Sequence, residues 1–164
     1  RDVERSRGLG DVYKRQKDAN AKDIESALAI SQSTEFVSKK PEGIHSEISQ
    51  GGTNVSGGQR QRLSIARAIV RKPEIYIFDD SFSALDFKTD AKLREALAAS
   101  CKETKSTVLL VAQRISSILH ADQIIVLDEG KMVGKGTHAE LMESCDVYQQ
   151  IASSQLTKEE LANV

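Results

Sequence analysis

A chain of 164 residues, 39% apolar and 29% charged, has the make-up of one water-soluble globular domain and lies outside the disordered and collagen-like classes. A net charge of -1, with Lys and Arg scattered along the chain, gives no basic stripe, so no nucleic-acid partner is expected. The longest apolar runs, such as residues 108–112, fall far short of the roughly 20 residues that a membrane-spanning helix needs. Cys101 and Cys145 lie far apart and outside any C-x-x-C spacing, and His45, His120 and His138 show no ligand spacing. Reduced structural thiols are therefore expected rather than a metal or redox centre. With no charged-then-apolar leader at the start, a cytosolic setting is expected.

Residues 1–16 show neither helical nor strand periodicity; they read as a non-native or disordered leader and are set aside from the fold. From Lys17 the pattern turns helical, with Asn20 as cap and Ile24, Ala27, Leu28 and Ser31 on one face. A second short helix is expected over residues 35–39, stopped by Pro41, and residues 42–53 read as a Gly-rich loop. The stretch Asn54-Val55-Ser56-Gly57-Gly58-Gln59-Arg60-Gln61-Arg62 then places a Ser, two glycines and a Gln at a helix start. The first turn of a helix leaves backbone N–H groups unpaired and carries partial positive charge, so an anion suits it. Two residues without side chains leave room for a phosphate. The competing reading is an S-x-x-Q capping box, Ser56 with Gln59, that does no more than close the helix. Leu63, Ala66, Ile69 and Val70 carry the helical period on to Pro73.

Residues 75–78 form a short apolar strand ending in Asp79 and Asp80, followed by the turn Ser83-Ala84-Leu85-Asp86. A helix is predicted over residues 87–101, apolar at Leu93, Ala96, Leu97 and Ser100, with an acid-rich start and Lys102 at its end as the dipole favours. Residues 108–112 and 123–127 are further apolar strands, reached through the helix at 87–101 and the segment 115–120. Continuous apolar strands with helical crossovers predict a parallel sheet covered on both faces. Asp128-Glu129-Gly130, leading into Lys131, Met132 and Val133, reads as a hairpin turn, and residues 137–144 and 147–153 read as closing helices.

A phosphate-type helix start, a buried strand ending in acids and an S-A-L-D turn, in this order and spacing, resemble the nucleotide-binding domain of the ATP-binding cassette (ABC) family. The resemblance assigns residues 54–62 to the family signature, 75–79 to the Walker B strand and 83–86 to the D-loop. It implies an α/β fold: a P-loop NTPase-type parallel sheet with flanking helices, plus part of the ABC helical subdomain. Residues 17–72 would be that subdomain with its signature helix, 73–155 the C-terminal part of the RecA-like ATP-binding core, and 156–164 a tail. The P-loop pattern G-x-x-x-x-G-K-[ST] occurs nowhere in the chain; the nearest stretch, residues 130–136, has the wrong spacing and no Ser or Thr after Lys135. Family order puts the P-loop upstream of the signature, so the chain is expected to be truncated before it and inactive in isolation.

The same resemblance implies ATP and Mg²⁺ as ligands. In P-loop ATPases the acid ending this strand holds Mg²⁺ through water, and the next carboxylate orients or deprotonates the attacking water, which maps to Asp79 and Asp80. The family commonly has Glu at the second place; Asp80 is one methylene shorter, which withdraws its carboxylate by about 1.5 Å. Where members commonly carry a His that contacts the γ-phosphate, this chain has Gln113, which can donate a hydrogen bond but cannot carry positive charge. Two weakened positions beside an intact signature resemble one half of a heterodimeric exporter. Ser56, Gly57, Gly58 and Gln59 would serve ATP held by a second nucleotide-binding domain, while Asp79, Asp80 and Gln113 line a degenerate site. Ser83, Ala84, Leu85 and Asp86 would lie at the interface, with Asp86 coupling the two sites. Transmembrane domains fused upstream would place the domain at the cytoplasmic face of the membrane, with residues 46–50 in the loop that meets them. The alternatives are a homodimeric exporter in which Asp80 works, and a soluble chromosome or DNA-repair ABC ATPase. The second of these inserts long coiled coils, and residues 18–54 hold no sustained heptads.

Overall fold

The structure, a computed structural model, describes residues 20–156, so the expectations for residues 1–16 and for the tail beyond 156 lie outside the described residues. It divides after Leu109 into two compact units.

In the first unit, helix α1 (Ala21–Ile30) starts at Asn20, whose side-chain oxygen accepts from the Asp23 N–H at 2.9 Å, the expected cap. Its buried face is Ala27 and Leu28, followed by Ser31 and Ser33, two buried hydroxyls that bond each other at 2.8 Å. Helix α2 (Thr34–Ser38) is a turn and a half long. The segment read as a loop contains two 3₁₀ turns, Gly43–His45 and Gln50–Gly52. Helix α3 (Gly57–Val70) buries Leu63, Ile65, Ala66 and Ile69 against α1 and stops where Lys72 turns left-handed (φ 44°) ahead of Pro73. Arg62 on α3 lies 4.8 Å over the Phe36 ring and donates to Gln32 O, fastening α3 to the α1–α2 corner.

Strand β1 (Ile75–Asp79) leads into helix α4 (Phe87–Thr104), which buries Leu93, Leu97 and Cys101 and ends at Lys105 in a left-handed conformation, φ 57°. Strand β2 (Thr107–Val111) pairs with β1. Thr107 N–H donates to Glu74 O at 2.8 Å, so the strands start side by side and run parallel, with α4 as the crossover. The expected parallel pair with flanking helices is therefore present. The expectation of cover on both faces is corrected. Tyr76 and Phe78 are buried, but Ile77 on the opposite face is 72% exposed, and Ile75, Leu109 and Val111 are open as well. A continuous apolar run is the mark of a strand buried on both sides; the described residues cover one.

In the second unit, β3 (Ile124–Asp128) and β4 (Lys131–Gly136) form an antiparallel hairpin with Asp128 opposite Lys131. Its two-residue turn, Glu129 (φ 46°) and Gly130 (φ 75°), has the paired positive φ that matches strand twist. Residues 123–127 were expected in the parallel sheet; among the described residues this strand pairs with β4 instead, because so short a turn returns the chain antiparallel. The segment 115–120, expected as a helical crossover, holds a single 3₁₀ turn, Ile115–Ser117. Helices α5 (His138–Ser144) and α6 (Asp146–Gln155) close a core of Ile115, Ile124, Val126, Leu141, Cys145, Tyr148 and Ala152. Gly134 permits the approach, since a Cβ there would fall 2.8 Å from Cys145 Sγ. Both cysteines are free and buried, as expected of structural thiols. No described helix is long and apolar enough to cross a membrane.

Candidate functional site

The start of α3 satisfies the bland reading and leaves the other open. Ser56 is extended; its Oγ accepts from Gln59 N–H at 3.2 Å, while Ser56 N–H donates to Gln59 Oε1 at 3.0 Å, a complete capping box. Arg60 N–H is taken by Ser56 O at 2.8 Å. The box thus satisfies the Ser56 and Gln59 N–H groups, the first intrahelical bond satisfies that of Arg60, and neither provides an acceptor for the Gly57 and Gly58 N–H groups. Around Gly57 there is open space, for an added Cβ would meet nothing within 4 Å. Gly58 serves a different purpose. A Cβ there would lie 3.0 Å from Ala84 O, so its bareness admits the backbone of the S-A-L-D turn. Among the described α-helices α3 alone has no acid in its first turn; the others carry Asp23, Glu35, Asp90, Glu140 and Asp146. Its positive end is therefore not answered by an acid of its own first turn.

The loop before it is braced as well. Asn54 accepts from Ser49 N–H at 3.1 Å and donates to Glu47 O at 2.9 Å, and Arg60 reaches back to Gly51 O at 2.9 Å.

Aromatic packing fixes the acid end of β1. Tyr76 stacks on Phe78 with centroids 5.8 Å apart, and Phe78 meets Phe82 edge-on at 5.4 Å, so residues 79–81 are carried out on a buried ladder. Asp79 and Asp80 stand exposed. Asp80 has φ 46°, a left-handed conformation that Asp tolerates better than most residues and that is a known place for functional strain. Ser81 Oγ bonds Asp79 O at 3.2 Å and Ser83 Oγ bonds Asp80 O at 3.1 Å. Of the S-A-L-D turn, Ser83, Ala84 and Asp86 are exposed and Leu85 is buried in the chain's own core. Asp86 caps α4: its carboxylate accepts from Thr89 N–H at 3.0 Å, and that bond holds its pKa below the usual aspartate value. This capping role was not read from the sequence.

Gln61 joins the two parts. Its Oε1 accepts from Ala84 N–H at 2.9 Å, and its Nε2 donates to Ser83 Oγ at 3.2 Å and lies 3.5 Å from Asp80 O. The structure so brings Gly58 and Gln61 of α3 against Asp80, Ser83 and Ala84, and Ser56, Gly57 and Gln59 take no part in these contacts. Sequence reasoning missed Gln61; the available signal was its place three residues after Gly58, on the same helix face. Gln113 belongs to the second unit, exposed, with its carbonyl accepting from Gln155 Nε2 at 2.9 Å. Gln155 Oε1 in turn accepts from Ile115 N–H at 2.9 Å, so one α6 side chain clamps the segment after β2.

No group of three or more His, Cys, Asp or Glu among the described residues suits a metal cage. Two adjacent acids at a strand end do suit Mg²⁺, which keeps most of its waters and takes one or two carboxylates together with substrate phosphates. A parallel βαβ unit whose first strand ends in such acids fits a nucleotide-binding ATPase domain.

Comparison with known proteins narrows the class. A sequence profile described as "ABC transporter" matches residues 4–83. An uncharacterized ABC transporter ATP-binding protein of Mycobacterium tuberculosis is 49% identical over 129 residues, which are 79% of this chain and 22% of that protein. The uncharacterized ABC transporter ATP-binding protein YfiB of Bacillus subtilis is 42% identical over 144 residues, 88% of this chain and 24% of that one. The ABC multidrug transporter MDR2 of Trichophyton rubrum is 42% identical over 131 residues, 80% of this chain and 9% of that one. A solved bacterial Atm1-family ABC exporter with ATP bound matches with a TM-score of 0.83 at 29% identity, over 93% of this chain and 27% of that one. The chain belongs to the ABC transporter family and forms part of its ATP-binding domain. It spans about a quarter or less of the relatives it matches.

Proposed function

We propose that this chain is the C-terminal part of the nucleotide-binding domain of an ABC exporter, on the cytoplasmic face of a membrane, where ATP binding and hydrolysis drive substrate efflux. The multidrug transporter and exporter among its relatives support transport over chromosome or DNA-repair work. The observation that carries the reading is the α3 start, with open space at Gly57, no acceptor from the capping box for two N–H groups and no acid in its first turn. Ser56, Gly57, Gly58 and Gln59 serve ATP held by a second nucleotide-binding domain. Asp79 holds Mg²⁺ through water, and the bound ion neutralises phosphate charge. Asp80 and Gln113 belong to this chain's own site. Ser83, Ala84 and Asp86 face the partner, with Leu85 as their buried anchor.

The chain's own site is the weaker of two in a heterodimer. Asp80 reaches about 1.5 Å less far than the Glu common in the family. General-base assistance is worth about 10²- to 10⁴-fold, so a withdrawn base forfeits up to that range. Gln113 adds no positive charge toward the γ-phosphate. The test is steady-state ATPase of the full-length transporter with its partner. Asp80→Ala is expected to keep turnover within about twofold, and removal of the partner's catalytic acid to lower it by about 10²- to 10⁴-fold. Loss of turnover in Asp80→Ala, with activity retained when the partner is changed, would overturn the heterodimer.

A further inference from the structure

We propose that Gln61 is a positioning residue that locks the signature helix to the D-loop and to the acid end of β1 within one chain, so that its two contributions to ATP turnover move together. This rests on the reading of residues 56–59 as a partner site's signature. Gln61 commits both ends of its amide: Oε1 to Ala84 N–H at 2.9 Å, Nε2 to Ser83 Oγ at 3.2 Å with Asp80 O at 3.5 Å. Ser83 Oγ also donates to Asp80 O at 3.1 Å, which closes a ring of hydrogen bonds over the left-handed residue Asp80. Three residues earlier on the same face, bare Gly58 lets Ala84 O come to 3.0 Å from where a Cβ would stand. The first two turns of α3 therefore grip residues 80–84 at two points, one by contact and one by hydrogen bonds.

Ordering a glutamine this fully sacrifices rotamer freedom. The groups it holds, Asp80, Ser83 and Ala84, are exposed, so the order is not a by-product of apolar burial. What it fixes is the path of the loop between the strand carrying the acids and the cap of α4 at Asp86. A shift of the α3 start, as when an anion settles on Gly57, is passed to the Asp80 carbonyl through one side chain.

The test uses the full-length transporter with its partner. Gln61→Leu keeps similar bulk and removes all three contacts. We expect kcat for ATP to fall about 10- to 100-fold, the scale of a small misplacement at a reacting centre, with KM within about twofold and the melting temperature little changed. Ser83→Ala removes the middle link, and the double variant is expected to fall no further than Gln61→Leu alone. Unchanged kcat in Gln61→Leu, a KM effect without a kcat effect, or fully multiplicative losses in the double variant would each overturn the proposal. If Gln61→Leu does not fold, Gln61→Glu, which keeps the bond from Ala84 and loses the donor, carries the same kcat-against-KM test. Asp80→Ala, run alongside, separates the two readings. Its loss of turnover, with activity retained when the partner's catalytic acid is changed, together with a Gln61→Leu kcat defect sinks the heterodimer and leaves Gln61 standing; a neutral result for both variants sinks Gln61 alone.

Discussion

Two helices in this chain open with the same local device and put it to different ends. Ser56 and Gln59 close the start of α3, and Thr137 and Glu140 close the start of α5, each as a reciprocal capping box. At α5 the box brings a carboxylate with it, so the positive end of the helix is neutralised by its own chain, and the first position, His138, is buried against Tyr148 with Nδ1 2.7 Å from the hydroxyl. At α3 the box is neutral and its first position is a glycine facing open space. The difference teaches that a capping box does not decide between structure and function. What decides is whether the charge of the turn is already answered from within.

The largest effect expected from this contrast falls at the second position of each helix. Gly58→Val places a branched side chain against Ala84 O, a backbone atom with little freedom to retreat. ATPase of the full-length transporter is expected to drop about 100-fold, with about 1 to 3 kcal/mol of stability lost to overpacking. Ala139→Val at the exposed matching position of α5 is expected to stay within about 0.5 kcal/mol and to leave turnover unchanged. Equal effects at both sites in unfolding and ATPase assays would mean that the approach of residues 80–84 to α3 has no functional weight.

A milder substitution exchanges the boxes themselves. Gln59→Glu makes the α3 box charged like that of α5. It is expected to stabilise the helix by about 0.3 to 1 kcal/mol through the dipole, while lowering turnover about tenfold, since roughly 1.4 kcal/mol of repulsion toward a phosphate is tenfold in a rate constant. Gain of stability with loss of activity is the signature to look for in paired melting and ATPase measurements. Stabilisation with full activity would show that no anion uses this turn.

The α3 box was legible in the sequence because its parts lie three residues apart, within the reach of helical geometry. The strand Ile75-Tyr76-Ile77-Phe78, the hairpin at Glu129-Gly130 and the cap Asn20 were legible for the same reason: each is a local pattern with a local cause. Gln61 was not. Its partners stand 19 to 23 positions along the chain and are met only once β1 has turned at Asp80. The left-handed backbone at Asp80 was hidden too, because Asp marks many turns and the side-chain argument concerned its length. Two-sided burial of the strands was read from their apolar runs, a correct inference about what such residues need, yet Ile77 and Val111 find no cover among the described residues. The third apolar strand was misplaced because the run at 123–127 looks alike in a parallel sheet and a hairpin, whereas the two-residue turn after it fixes its pairing with β4.

The smallest effect is one of pH, and it isolates charge from geometry. The hydrogen bond from Thr137 N–H, at 2.8 Å, joined by one from the Thr137 hydroxyl, holds the Glu140 pKa below the usual glutamate value. A carboxylate with a lowered pKa in the folded state binds fewer protons there than in the unfolded chain, so stability rises with pH across that interval. Its contribution is complete above the ordinary glutamate pKa and disappears as pH falls through the lowered value. Glu140→Gln is therefore expected to be less stable than the parent chain at pH 7, with the gap narrowing as unfolding is followed downward from about pH 5 to pH 3. The α3 box, already neutral, should show no such term: Gln59→Ala should cost the same at both pH values. A gap for Glu140→Gln that does not move with pH would mean that the α5 box also works by geometry alone, and the absence of an acid at α3 would then lose its force as a sign of an outside phosphate.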